Sequence, residues 1–440
     1  MQDRHSIDGS VLLGNASLPD AATGERSGAV SRVDITIRSG RIESVAPAGS
    51  GLGDDDLPLH DCDGGLVLPA FVDMHTHLDK GHVWPRQANP DGTWLGALLA
   101  VKADREANWS SVDAQRRMDF SLRCAFAYGT AAIRTHLDSA PPQHDISWPL
   151  FAAMRERWAG RIELQAVALV GPDHLLDPAV LDEVARMAAA HGGLLGGSVA
   201  VHDRAPEAVR AAVETAGRHG LDLDLHIDES GDPEARSLRA LAEAVIETGY
   251  AGRVTAGHCC SLAIQDEGFV RDTIARVAEA GITIVSLPMC NMYLQDRAPA
   301  GGPARTPRWR GVTLVNELKA AGVAVALASD NTRDPFYAYG DLDMLEVFRE
   351  SARIAQFDHP VADAWDWLRA VTALPAATCG FDYQARITPG ASADLVLFGA
   401  RTWHELMARP QGERTVLRAG RAIDTTLPDY RELDDLMQDR

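Results

Sequence analysis

Two histidines two residues apart, His75 and His77 in DMHTHLD, have a spacing that could do chemistry. On an extended strand, residues i and i+2 share a face, so both imidazoles would point to the same place. That is a metal-ligand arrangement. His226, in LHIDES, and Asp330, in ASDN, stand at the ends of other apolar runs. Three imidazole nitrogens and a carboxylate suit one Zn²⁺ or Fe²⁺ ion with room for a water. Glu229, three residues after His226, and His258, in AGHC, are two further groups that one ion does not need as ligands. Both are candidates for proton handling.

The lysines bear on the number of ions. The chain has only Lys80, Lys102 and Lys319, and none lies between 103 and 318. A two-metal centre bridged by a modified lysine therefore has no residue from which to be built, and one ion is expected. His136, in RTHLD, has no second histidine beside it and reads as packing or as support behind the ligands. Spacing alone assigns no chemistry to Asp79, Lys80 or Cys259-Cys260.

These residues need elements to position them. Apolar, strand-like runs cover 66–77, 131–138, 162–169, 194–201, 221–229, 254–259, 282–288 and 323–331. Between them lie stretches such as 205–220, apolar at helical spacing and ending in Gly. Eight strands alternating with helices predict a (β/α)8 barrel. A doubly wound open sheet would share the alternation, but the strand count and the lack of a GxGxxG or GK[ST] loop favour the barrel. Barrel chemistry collects at the C-terminal strand ends, and those ends are where the polar residues fall. Outside the barrel, 33–47 alternates around Ser39-Gly40 as a hairpin does, and 393–398 and 414–423 repeat the pattern. A small β-sandwich built from both termini is expected, from 1–68 and 387–440, flanking a catalytic barrel at 69–386.

Composition narrows the partners. The 440 residues are 46% hydrophobic with a formal charge of −20, and no uninterrupted apolar run is long enough to span a bilayer. So acidic a chain, without a basic stripe, is a poor match for nucleic acid. The opening MQDRHSIDGS lacks the order of a secretory signal. Six scattered cysteines without CxxC spacing suggest reduced thiols in a cytoplasm. A homo-oligomer binding a small molecule is expected, with no membrane or nucleic-acid partner. HxE with PCxxC, GxSxG and HExxH are all absent, His404-Glu405 lacking the second histidine of the last.

PAFVDMHTHLDK, RTHLD, LHIDES, AGHC, NMYLQDR and ASDNTRDPFYAYG, in that order, resemble the amidohydrolase superfamily. Closest is its cytosine deaminase-like branch, with relatives acting on amino- and alkylamino-heterocycles. The resemblance spans roughly residues 30–425. It implies the barrel with its terminal β-sandwich and a single Fe or Zn ion held by His75, His77, His226 and Asp330. It also implies a proton-shuttling Glu229, and a His258 that hydrogen-bonds the activated water or the developing oxyanion. Asp330 would orient and help deprotonate that water as it attacks the amino-bearing ring carbon and releases ammonia or an amine.

Three positions depart from the branch pattern. Asp330-Asn331 replaces tandem aspartates, Gly171 stands where the family has a substrate-reading glutamine, and Phe336 replaces the tryptophan of DPW. The ring edge is thus read differently, and Gly171 leaves space for a bulkier ring such as a pterin. Lys80 in HTHLDK is similar to the relatives that remove alkylamines from triazines. The expectation is a hydrolytic deaminase of a cytosine-like pyrimidine, a pterin or a triazine. Its alternative is a cyclic amide hydrolase on the same scaffold. A metal-stabilised binding protein without turnover is a third reading.

Overall fold

The computed structural model describes residues 7–25, 28–50, 56–199, 204–298 and 302–437. Strands β1 (Val11–Pro19), β2 (Val30–Arg38), β3 (Arg41–Pro47) and β4 (Leu59–Asp61) form one sheet, ordered β3-β2-β1-β4. The expected turn joins β2 to β3, with φ of 49° at Ser39 and 79° at Gly40. Two left-handed central residues give a turn whose twist matches that of the strands it connects.

The apolar run 66–77 divides into two strands in different sheets. β5 (Val67–Pro69) pairs with a C-terminal strand, whereas β6 (Phe71–Thr76) opens the barrel. The switch takes one residue: the Ala70 amide donates to Asp394 O at 2.9 Å and the Phe71 amide to Gly129 O at 2.9 Å. Pro69, with no N–H to satisfy, sits at the change of partner.

The barrel continues through β7 (Thr130–Asp138), β8 (Glu163–Leu169), β9 (Leu194–Val199), β10 (Leu223–Ile227), β11 (Val254–His258), β12 (Thr283–Ser286) and β13 (Val325–Leu327). Strands neighbour each other in chain order and pair in parallel. Residues 200 and 201 of the expected run 194–201 lie outside the described residues. Segment 205–220 forms the helix Ala205–His219, capped at Gly220. The first and last strands meet just beyond β13. The Asp330 amide donates to His75 O at 2.9 Å, while Ser329 donates from its amide at 3.1 Å and its hydroxyl at 2.5 Å to the Asp73 carboxylate. Eight parallel strands in a nearly closed ring, with helices between them, are the predicted (β/α)8 architecture.

Strands β14 (Leu395–Phe398), β15 (Arg414–Arg418) and β16 (Arg421–Ala422) extend β5 into a second, antiparallel sheet. The two terminal hairpins touch at their tips. A Cβ added to Gly40 would lie 2.7 Å from Ala419 O, so only glycine admits this approach. Ile35, Leu68, Val396 and Leu417 are fully buried in a core continuous with Ile133 and Leu225 of the barrel. Among the described residues, no helix is long and apolar enough to cross a membrane.

Candidate active site

His75 is the last residue but one of β6, His77 follows the strand, and His226 lies near the end of β10. Asp330 lies past β13, where its backbone bond to His75 brings the barrel round. His75 Nε2 is 3.2 Å from His226 Nε2, which is 3.3 Å from His77 Nε2. Asp330 Oδ1 is 3.2 Å from His77 Nε2 and 3.6 Å from His75 Nε2. In a tetrahedral shell with bonds of about 2.0–2.1 Å, neighbouring ligand atoms lie about 3.3 Å apart. The four separations just given, 3.2–3.6 Å, match that spacing.

Their chemistry also fits a cation. Burial above all, with neighbouring cationic groups, holds all three histidines well below their usual pKa, so the rings are neutral as ligation requires. Protons cannot satisfy three neutral rings whose Nε2 atoms converge, because His226 Nε2 faces two others at once. Burial raises the Asp330 carboxyl to about 7, against the Cys290 thiol, which favours the carboxylate. A divalent cation at the focus would satisfy all four groups. His136 packs behind them, tilted against His75 with centroids 4.1 Å apart and edge-on to His226 at 4.6 Å. Its Nε2 is 3.8 Å from Asp224 Oδ1.

Backbone conformation aims these groups. Asp228, His258 and Asp330 have φ of 48°, 69° and 69°. A left-handed non-glycine residue costs about 1–3 kcal/mol, which concentrates strain at the strand ends of the site. Asp228 is fixed by accepting from the amides of Ser237 at 3.0 Å and Leu238 at 2.9 Å. The next residue, Glu229, accepts from Trp94 Nε1 at 2.8 Å on Oε2, and its Oε1 is 3.5 Å from His258 Nδ1. Burial first, then Asp330, pushes the Glu229 carboxyl up to about 8. Asn291 donates from Nδ2 to His258 Nδ1 at 2.8 Å, leaving the ring proton on Nε2, which has no hydrogen-bond partner among the described residues. Burial lowers His258 to about 3, so it is neutral.

A cavity of about 370 Å³ opens beside this cluster, with His77, His226, Glu229, His258 and Asp330 in its wall. That is within the usual range for a small-molecule site. Gly171, Asn331 and Phe336 line it too. Gly171 has an ordinary φ of −79°, and among the described residues a Cβ there would meet nothing nearer than 3.9 Å. The glycine therefore leaves room in the wall rather than serving a turn. Asn331 turns its amide to Asp334 Oδ2, 2.7 Å away, and Phe336 meets Trp94 edge to face with centroids 6.1 Å apart. Spacing did not reveal Trp94, which begins helix α1 (Trp94–Asn108), nor the contacts of Asn291 and Lys80.

The profile of the amidohydrolase family matches residues 131–423. The chain is 53% identical over 427 residues, 96% of each protein, to a pterin deaminase of Rhizobium rhizogenes. Among solved structures, N-isopropylammelide isopropylaminohydrolase from Burkholderia multivorans is 30% identical with a TM-score of 0.72, covering 94% of this chain and 97% of that one. 5-methylcytosine deaminase from Klebsiella pneumoniae shares the fold, with a TM-score of 0.80 at 24% identity and coverage of 96% and 98%.

Proposed function

The chain belongs to the amidohydrolase family, and from that premise we propose that it hydrolytically deaminates an amino-substituted N-heterocycle, of which a pterin is the best-supported example. The 53% identity to a pterin deaminase and the space beside Gly171 both favour a bicyclic ring. One divalent ion, Zn or Fe, would be held by His75, His77, His226 and Asp330. When bound, such an ion lowers the pKa of a ligated water from 15.7 toward about 7 and so supplies a nucleophile at neutral pH. The catalytic unit would be residues 69–386, with 1–68 and 387–440 as its β-sandwich.

The remaining chemistry belongs to side chains. Glu229 enters protonated and gives its proton to the ring nitrogen beside the amino-bearing carbon, making that carbon electrophilic. Asp330 takes a proton from the attacking water as the new carbon–oxygen bond forms. His258 Nε2–H donates to that oxygen in the tetrahedral species. Asp330 then passes its proton to the amino group, the carbon–nitrogen bond breaks, and ammonia leaves. Loss of the hydroxyl proton to Glu229 leaves an oxo product and restores the acid. Phe336 and Trp94 flank the ring, and Asn331 and Gly171 shape the space at its edge.

The observation that carries this reading is the convergence of four ligand atoms, a raised-pKa carboxyl and a neutral histidine on one cavity. Six free thiols suit the cytoplasm, where a homo-oligomer is expected. The test is ammonia release by metal-replete protein against pterins, aminopyrimidines, aminopurines and triazines. Release from a pterin above the other rings is the expected result. Ring opening of a hydantoin or lactam without ammonia release would favour the cyclic amide alternative.

A further inference from the structure

Lys80 lies three residues beyond His77 and has no part in the scheme above. Its side chain is almost wholly buried, yet it lines the same cavity as Glu229 and Asp330. Among the described residues its nearest carboxylate oxygen is Asp138 Oδ1, at 3.6 Å. That distance pairs charges but is too long for a hydrogen bond. Asp138 is shared: its Oδ2 accepts from Arg105 at 2.8 Å, and its Oδ1 is the oxygen turned toward the lysine. Burial works against the lysine's charge, but Asp138, Asp79, Asp334 and Asp330 outweigh it and keep the ammonium protonated.

An ammonium carries three N–H donors and no acceptor, and the Asp138 carboxylate beside it can occupy only part of that capacity, which leaves a donor for a ligand in the cavity. The ammonium lies over the Phe336 ring, 5.4 Å from its centroid, so the two side chains border the same part of the cavity in which a flat ring would sit. Only an acceptor suits a ring edge turned to the lysine. An oxo oxygen would take a charge-assisted hydrogen bond, whereas an amino group would set donor against donor.

We infer that Lys80 is a specificity-determining residue: its ammonium donates to an oxo oxygen of the bound ring, so the enzyme accepts oxo-substituted amino-heterocycles and rejects their diamino counterparts. The inference rests on the deaminase reading above. A site built to bond one substrate group discriminates strongly against the analogue lacking it.

The test uses a matched pair, 2-amino-4-oxopteridine and 2,4-diaminopteridine, with kcat/KM measured by ammonia release and metal content checked in each preparation. Wild-type enzyme should prefer the oxo ring by about a hundredfold or more. Lys80→Met should lose most of its kcat/KM on the oxo ring and little or none on the diamino ring, so that the preference collapses. Should that variant fail to fold, Lys80→Met with Asp138→Asn removes the cation and its ion-pair partner together, and the same collapse is expected. An equal fall on both rings, or an unchanged preference, in folded, metal-loaded variant would overturn the role of Lys80 while leaving the deaminase reading intact. No ammonia from any ring with metal-loaded wild type would instead sink the deaminase reading and this inference with it.

Discussion

Glu229 has one oxygen tied and one free to work. The Trp94 indole holds Oε2, so the proton that a carboxyl of pKa about 8 keeps at neutral pH belongs on Oε1, the oxygen nearer His258. Gln in its place keeps the size and the carbonyl acceptor for the indole but has no acidic proton. Glu229→Gln should therefore lower kcat by about 10²–10⁴-fold, the usual worth of a general acid–base, with metal content and thermal stability close to wild type. Initial rates of ammonia release decide it, and near wild-type turnover would remove Glu229 from the chemistry. At this scale the ligands were legible because each stands at or near the end of an apolar run, where a strand interior would continue with Val or Ile. Trp94 and Asn291 were not. Each enters from a helix near the site, and no periodicity marks a helical residue as facing a neighbouring strand's mouth. Lys80 was visible beside the histidines, but its use depends on a cavity that only folding creates.

The loop after β10 is an element-scale device. The helix Ser237–Thr248 has Arg236 at its N-cap, with no side-chain capping bond of its own. Asp228 supplies the acceptors instead, from the far end of the loop, one carboxylate oxygen to each of two amides. The same carboxylate thus caps a helix and pins the backbone that presents Glu229. Asp228→Ala should cost about 0.5–2 kcal/mol of stability, the range for losing an N-cap, and should also reduce turnover because Glu229 loses its anchor. Asp228→Asn, which keeps an acceptor and tolerates the left-handed φ, should recover part of both. Urea unfolding alongside ammonia release measures the pair, and wild-type values for Asp228→Ala in both would show that the loop is fixed by other contacts. Element boundaries were less legible than element types. The run 66–77 reads as one strand because both halves are apolar and buried, and only Pro69 hints that hydrogen-bonding partners change there. The hairpins around Ser39-Gly40 and Gly420 were readable because glycine at a two-residue turn has a conformational reason.

The whole molecule brings its C-terminal segment back to the barrel near residues 82 and 86. Arg86 donates to Leu436 O at 3.0 Å, Tyr430 stacks on Phe120 with centroids 5.5 Å apart, and Tyr430 donates to Asp341 at 2.8 Å. Beneath Tyr430 lies His82, buried, with neither ring nitrogen hydrogen-bonded to any described residue and its ring 4.8 Å from Phe120. Burial first, then Arg333 and Arg117, lowers His82 to about 3. In the unfolded chain it titrates near the ordinary value of about 6.5, so the unfolded state takes up the proton first as pH falls. Its contribution is therefore intact above pH 6.5 and is lost progressively between about 6.5 and 3, amounting to a few kcal/mol at the acid end. Burial also holds the histidines of the candidate metal site well below their ordinary pKa, so the useful quantity is the difference between two proteins that share them. His82→Asn accepts the left-handed φ of 65° at this position and has no imidazole to protonate. The variant should be less stable than wild type at pH 7, from lost packing, and the gap should narrow or reverse as pH falls toward 4. Urea unfolding of both proteins across that range gives the gap directly. A gap that stays constant with pH would mean that His82 binds protons alike in both states, and that the acid sensitivity of the fold arises elsewhere.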